Sequence, residues 1–246
     1  MTYLSIDEAK KLRHLLMVFF ALPYSTDLDG KDVEKLIRRV KGIEGPISRR
    51  KELFDIVSGT VGYSVKTLFK RPLAQMVDLQ EQRFCDKADL DVVRQAKYAV
   101  PDHSAQAQGE VLLSYMRRRA KEQMDARGIT LAKSAILLKY WNPPRTTFQM
   151  RYWEEDFLGY IDDLWDRNAR GEIYWVEKDA GLHGQDHRTR VRLIRMHYKH
   201  NQIFTDHHIP RDAQVIDFRA RVRDWEELYG FLYGNGDDFE DTQALF

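Results

Sequence analysis

Residues 53–68 read LFDIVSGTVGYSVKTL: two apolar runs joined by a glycine-bounded turn, each interrupted by one charge, Asp55 and Lys66. A lone carboxylate or ammonium is expensive to bury, and a buried ion pair seldom recovers its desolvation as stability. An acid and an amine set into an apolar hairpin therefore suggest chemistry. The carboxylate can hold a hard divalent cation, and the lysine can orient or deprotonate a water. Strand side chains alternate faces. With Thr60-Val61 as the turn, Asp55 stands directly across from Lys66. Leu53, Asp55 and Val57 then share one face and Phe54 and Ile56 the other, while Ser64, Lys66 and Leu68 share a face of the second strand. The competing reading is a half-buried cross-strand ion pair worth under about 1 kcal/mol.

The elements around this hairpin follow from local signals. Ser5-Ile-Asp-Glu8 forms a capping box ahead of Leu12, Leu15, Leu16, Phe19 and Phe20, and Pro23 ends that helix. A second helix is predicted over 32–41, closed by Gly42. Residues 76–84 alternate as a third strand, with a helix as the other reading, and 86–127 read as helical with a break near Pro101. The second half turns β-rich. KSAILLKYW (133–141), TTFQMRYWEE (146–155), EIYWVE (172–177), TRVRLIRMHY (189–198) and AQVIDF (213–218) read as strands. DFLGYIDDLWDRN reads as a helix between them, and 224–233 as a short terminal one. The fold class is α+β: a central mixed sheet flanked by helices, with a β-rich C-terminal part. The organisation is a core over 1–130 and a β-rich part over 131–246, as one domain or two.

An acid-bearing helix, an aspartate on a first strand, a tight turn and x-x-Lys on a second strand follow one another in order. This order resembles the PD-(D/E)XK nuclease superfamily, and within it the type II restriction endonucleases. The motifs lie within 30–85; elsewhere the likeness is architectural. The resemblance implies a restriction-endonuclease-like fold, a Mg²⁺ cofactor and hydrolysis of phosphodiester bonds in sequence-specific double-stranded DNA, with a homodimer as the usual form. It implies that Asp55 binds the metal and that Lys66 handles the attacking water. The family's second carboxylate is replaced here by Ser64. Some restriction enzymes are similar in having Ser-Val-Lys there and supply the acid from downstream, which implies Glu81, with Asp78 behind it, as the other metal ligand. Glu34 matches the helix glutamate that the family often carries; an ordinary solvated glutamate is the alternative. Two other readings are a repair or junction-resolving nuclease of the same superfamily and a DNA-binding protein that kept the fold without the chemistry.

Composition bounds the rest. The chain has 246 residues and a net charge of +1, so any nucleic-acid surface must come from local clustering. One cysteine, Cys85, excludes an internal disulfide and cannot build a zinc knuckle, in keeping with a reducing cytoplasm. The run LLMVFFAL is too short to span a bilayer, and no membrane association is expected. No phosphate-binding loop or Gly-x-Ser-x-Gly occurs, which sets aside ATP-driven translocation and esterase chemistry within this chain. Arg188, Arg190, Arg192, Arg195 and Lys199 interleave with His183, His187, His197 and His200. Period 2 places Arg188, Arg190 and Arg192 on one strand face, and Arg219, Arg221 and Arg223 repeat the spacing. Phosphate contact is the functional reading of these positions; a solvated strand face is the other.

Overall fold

The computed structural model describes residues 3–23, 25, 27–44, 53–69, 73–78 (backbone alone), 104–142, 145–198, 202–221 and 223–227. Helix α1 (Ile6–Ala21) begins at the expected capping box: the Ser5 hydroxyl accepts from the Glu8 N–H at 3.2 Å, and the Glu8 carboxylate accepts from the Ser5 N–H at 2.7 Å. Helix α2 (Gly30–Lys41) is capped by Asp29 and ends at Gly42, whose φ of +65° suits a residue without Cβ. The apolar stripes of α1 (Leu12, Leu16, Phe20) and α2 (Val33, Ile37, Val40) are buried against one face of a mixed sheet.

That sheet runs β1-β2-β4-β5-β10, from β1 (Ile56–Ser58), β2 (Val61–Phe69), β4 (Leu131–Trp141), β5 (Thr147–Asp156) and β10 (Gln214–Arg219). β2 and β4 pair in parallel and the other neighbours antiparallel. The α1/α2 face is filled by Tyr63, Val65, Leu137, Phe148, Tyr152 and Phe218. Phe148 and Phe218 stack at 4.9 Å. Helices α3 (Ala105–Ala126) and α4 (Phe157–Ala169) pack in a second core with Phe54, Ala132 and an antiparallel sheet. Its order is β3-β9-β8-β7-β6, from β3 (Leu73–Asp78), β6 (Ile173–Lys178), β7 (Gly181–Asp186), β8 (Arg192–His197) and β9 (Gln202–Asp206). The two sheets are linked through His207. Its Nδ1 shares a 2.6 Å hydrogen bond with Glu155 of β5, its Nε2 a 2.8 Å one with Thr205 of β9, and its ring stacks on Tyr160.

The coarse class is α+β, and each sheet takes strands from both sides of residue 130. The third strand begins and ends earlier than its alternation suggests, at 73–78, and residues 79–103 lie outside the described ones. Only the start of the expected helix over 224–233 is described. Strands β7 and β9 were not foreseen. Among the described residues no helix is long and apolar enough to cross a membrane.

Candidate active site at the edge of the mixed sheet

The hairpin forms with a different register. Its pairs are Ile56 with Tyr63, Val57 with Gly62 and Ser58 with Val61, so the turn is Gly59-Thr60 and not Thr60-Val61. Gly59, at φ +57°, takes the first central position, where a tight hairpin turn needs positive φ that a β-branched residue resists. Continued by one residue, this register sets Asp55 opposite Ser64; Lys66 is two residues further along and diagonal to it. The expected face-sharing of Phe54 and Ile56 also fails. The chain bends at 53–55, sending Phe54 into the α3/α4 core while Ile56 enters the α1/α2 core.

Asp55 therefore lies beyond the end of β1, at the rim of the sheet. β1 is too short to satisfy the edge N–H of Val65, and the Asp55 Oδ2 accepts it at 2.7 Å. Two arginines fix the backbone of the bend. Arg127 Nη1 donates to the Phe54 carbonyl at 2.7 Å, and Arg38 Nη2 to the Asp55 carbonyl at 3.1 Å. Arg38 Nε also donates to Glu34 Oε1 at 3.1 Å, so one guanidinium spans from the α2 carboxylate to the bend. Glu34 is buried, at 7% exposure; the solvated alternative is overturned, because α2 lays this residue over the rim beside its apolar stripe.

Strand alternation places Glu34 and Lys66 on opposite sides of the sheet. α2 covers the Tyr63/Val65 face, while Ser64 and Lys66 point the other way, with Asp55 between them at the edge. Ser64 is wholly buried, and its hydroxyl has no hydrogen-bond partner among the described residues. Lys66 makes no direct ion pair among the described residues. Burial lowers its ammonium below the ordinary lysine value, and the charge of Asp55 only partly restores it. Burial likewise raises the Asp55 carboxyl, against the opposing pull of Lys66 and the Val65 N–H. Glu34 is raised by burial and then by the charge of Asp55, with Arg38 pulling the other way. The edge thus gathers two carboxylates that disfavour each other's ionisation and an amine that holds its proton less tightly than usual.

This donor set fits Mg²⁺, a hard cation commonly bound through one or two carboxylates with water and substrate phosphate completing the shell. A cation shared by Glu34 and Asp55 would reverse the repulsion between them. No group of three His, Cys, Asp or Glu side chains is placed to hold a metal among the described residues. Glu81 lies outside those residues. The backbone of Asp78 pairs with Gln202 in the second sheet.

The basic cluster is not one strand face. β8 begins at Arg192, which leaves Arg188 and Arg190 in the β7–β8 connection. There the Asp186 carboxylate accepts the N–H groups of Arg188 and Thr189 at 3.0 and 2.7 Å, folding the loop on itself. Arg190 sits at φ +59° with its guanidinium over the Tyr174 ring at 4.2 Å. Arg192 is held by Asp206 at 2.6 Å, and Arg195 lies over Phe204 at 4.6 Å. Lys199 is outside the described residues. β10 likewise ends at Arg219, so Arg221, paired with Glu227, and Arg223 lie past the strand. Arg117 pairs with Asp162, and Arg118 and Arg119 with Glu122.

No family model, curated protein or solved structure matches the chain.

Sequence reasoning missed Arg38 and Arg127 at the rim. Arg38 carried a legible signal, since it stands one helical turn after Glu34. Arg127 gave none; its role depends on where α3 ends.

Proposed function

We propose that the chain is a Mg²⁺-dependent DNA endonuclease of the type II restriction kind. It cuts double-stranded DNA at a specific sequence, works as a homodimer and acts in the cytoplasm. The observation that supports this reading is the set of charges at the sheet edge. Asp55 and Glu34 are pushed toward their neutral forms, and Lys66 toward its own, with no direct ion pair to Lys66 among the described residues to offset it. An ion pair built for stability would be closed and compensated, whereas perturbed groups at one locus suit a reaction.

Asp55 and Glu34 would hold the metal, with Glu81 as the further acid. When bound, Mg²⁺ supplies charge neutralisation at the phosphate and lowers the pKa of water. Lys66, with its proton already loosened, orients the attacking water and accepts its proton. In its protonated form it adds positive charge beside the developing negative charge. Arg38 positions Glu34 relative to the bend that carries Asp55. Ser64 would be only a weak metal ligand; its buried hydroxyl, without a partner among the described residues, would instead hydrogen-bond a water at the site.

Digestion of phage DNA with Mg²⁺, followed by end sequencing, tests this. Discrete fragments with common ends are expected, and none in excess EDTA. Full cleavage in EDTA overturns the metal mechanism. Preference for branched DNA identifies a junction-resolving enzyme instead, and binding without cleavage a non-catalytic relative.

A further inference from the structure

The second sheet has an inner face in the α3/α4 core and an outer face. Leu182, Ile194, Met196 and Ile203 point inward. Alternation then directs Gly181, His183, Arg195, His197 and Phe204 outward. The ladder pairs His183 with Arg195, Gly181 with His197 and Arg195 with Phe204. A bulge opposite Gln185 brings Arg192 onto this face too, where it meets Asp206.

Two polar atoms of this face, on His183 and Arg195, have no hydrogen-bond partner among the described residues. His183 is 5% exposed, and its Nε2 is buried without a hydrogen bond. Arg195 Nε is also buried and unsatisfied, and its guanidinium rests on the Phe204 ring. Buried polar atoms are nearly always paired, so two adjacent orphans, both able to donate, point to a missing acceptor. Gly181 is a close approach of backbones: a Cβ there would strike the Met196 carbonyl oxygen at 2.5 Å and lie 3.6 Å from His183 Nε2, so an acceptor reaches the two donors from the side of the Arg195 guanidinium, which is only partly buried. The charges that act on His183 are Arg192, Arg195 and Lys178 against Asp179, and Asp206 is already held by Arg192. The local balance is positive. Burial and the two arginines hold the imidazole below its ordinary value.

We propose that His183 and Arg195, paired across β7 and β8, together bind one phosphate group. The guanidinium supplies planar donors that match phosphate oxygens, the imidazole Nε2–H supplies another, and Phe204 holds the guanidinium flat. The phosphate belongs either to a nucleic-acid backbone or to a small phosphorylated molecule. This pair gives the DNA-contact reading of this strand its ligand group, but it does not depend on the chemistry at the sheet edge.

The test uses the full chain carrying Asp55→Asn, without divalent metal, so that cleavage plays no part. The His183 ring resonances, assigned by their loss in His183→Leu, are followed by NMR during titration with inorganic phosphate. Sodium chloride at equal ionic strength is the control. The expected result is a saturable shift with phosphate alone, weakened roughly tenfold or more by Arg195→Met, which loses charge-assisted hydrogen bonds. A second titration uses a short DNA duplex. Saturation at lower concentration than free phosphate identifies the backbone as the source, and saturation by phosphate alone identifies a small molecule. No saturable shift with either overturns the phosphate site. Thermal unfolding gives a second readout: His183→Leu removes an unsatisfied buried nitrogen, so its midpoint stays level or rises. A fall of several degrees in a folded His183→Leu chain shows that the imidazole has a structural role, which also overturns the proposal.

Discussion

Two carboxylates of the mixed sheet, Glu154 and Asp55, are both withdrawn from water and behave in opposite ways. Glu154, on β5, has only 4% of its side chain exposed, yet it titrates below the ordinary glutamate value. Burial raises it, but Lys133 at 2.8 Å, Lys41 at 2.7 Å and the Tyr152 hydroxyl at 2.7 Å more than offset that. The Tyr63 ring also lies 5.4 Å from Lys41 and 5.9 Å from Lys133. Asp55 has a lysine close enough to be felt but not touching, and it stays raised. The same chain thus compensates one acid fully with two lysines and leaves another, at the β1 end of the same sheet, without a direct cationic partner among the described residues. Capacity to stabilise a buried charge is present in this sheet, and at the rim it is used only in part: Asp55 accepts one backbone N–H and no cation pairs with it directly among the described residues.

The largest expected effect separates the two sites by activity. Asp55→Asn keeps an acceptor for the Val65 N–H, and Lys66→Met keeps the stem. Each lowers the cleavage rate by about 10²–10⁴-fold, the range for a lost acid–base group. Unfolding curves close to the parent's are expected in both; near-parent cleavage by either variant removes that residue from the site. The next effect is on stability and belongs to Glu154→Gln, which strands Lys41 and Lys133 together. Breaking a buried pair by removing one partner costs about 3–5 kcal/mol, and the lower end applies because Lys133 keeps some water contact. Urea denaturation reads it; a loss below about 1 kcal/mol would make the two acids equivalent and end the contrast. Smaller still, Asp55→Asn combined with Lys66→Met raises stability by about 1 kcal/mol while cleavage stays absent, because replacing uncompensated buried charges is often stabilising. A double variant less stable than the parent would mean that the pair serves the fold.

The smallest effect is in pH dependence. The Asp55 carboxyl is raised, so between the ordinary value near 3.8 and its folded value the folded state binds more protons than the unfolded chain. Stability from this group therefore falls as pH rises through that window. Glu154 is lowered, so its contribution is present above 4.5 and is lost as pH falls through its folded value. Urea midpoints from pH 3 to 7 should rise more steeply with pH in Asp55→Asn than in the parent, since the opposing slope is gone. Parallel profiles would show that Asp55 titrates normally.

Where local rules act alone, the sequence was legible. The capping box at Ser5–Glu8 and Gly42 set helix ends to within a residue or two, and β4, β5 and α4 fell where their patterns placed them. The hairpin was recognised but slipped, because two glycines flank the turn and only one takes positive φ. β7 was missed because its sequence, GLHGQD, has no strand propensity. Gly184 is there because a Cβ would strike Ile194 at 2.7 Å and the Trp175 ring at 3.0 Å, a constraint set from outside the strand. At the rim, Asp55 and Lys66 were visible as charges out of place, and Glu34 by its position in the order of motifs. That their ionisations are coupled, and that Glu34 approaches from the side opposite to Lys66, depends on how α2 crosses the sheet.

The interleaving of the two sheets also governs how the chain must be made. β3 hydrogen-bonds to β9, which leaves the ribosome roughly 120 residues later; at bacterial or eukaryotic synthesis rates that is a wait of about 6–25 s. During that interval the β3 edge has no partner from its own chain and is open to pairing with another copy. Yield of this protein should therefore depend on translation speed and on chaperones that shield strand edges. Fragments ending before residue 202 should collect in the insoluble fraction.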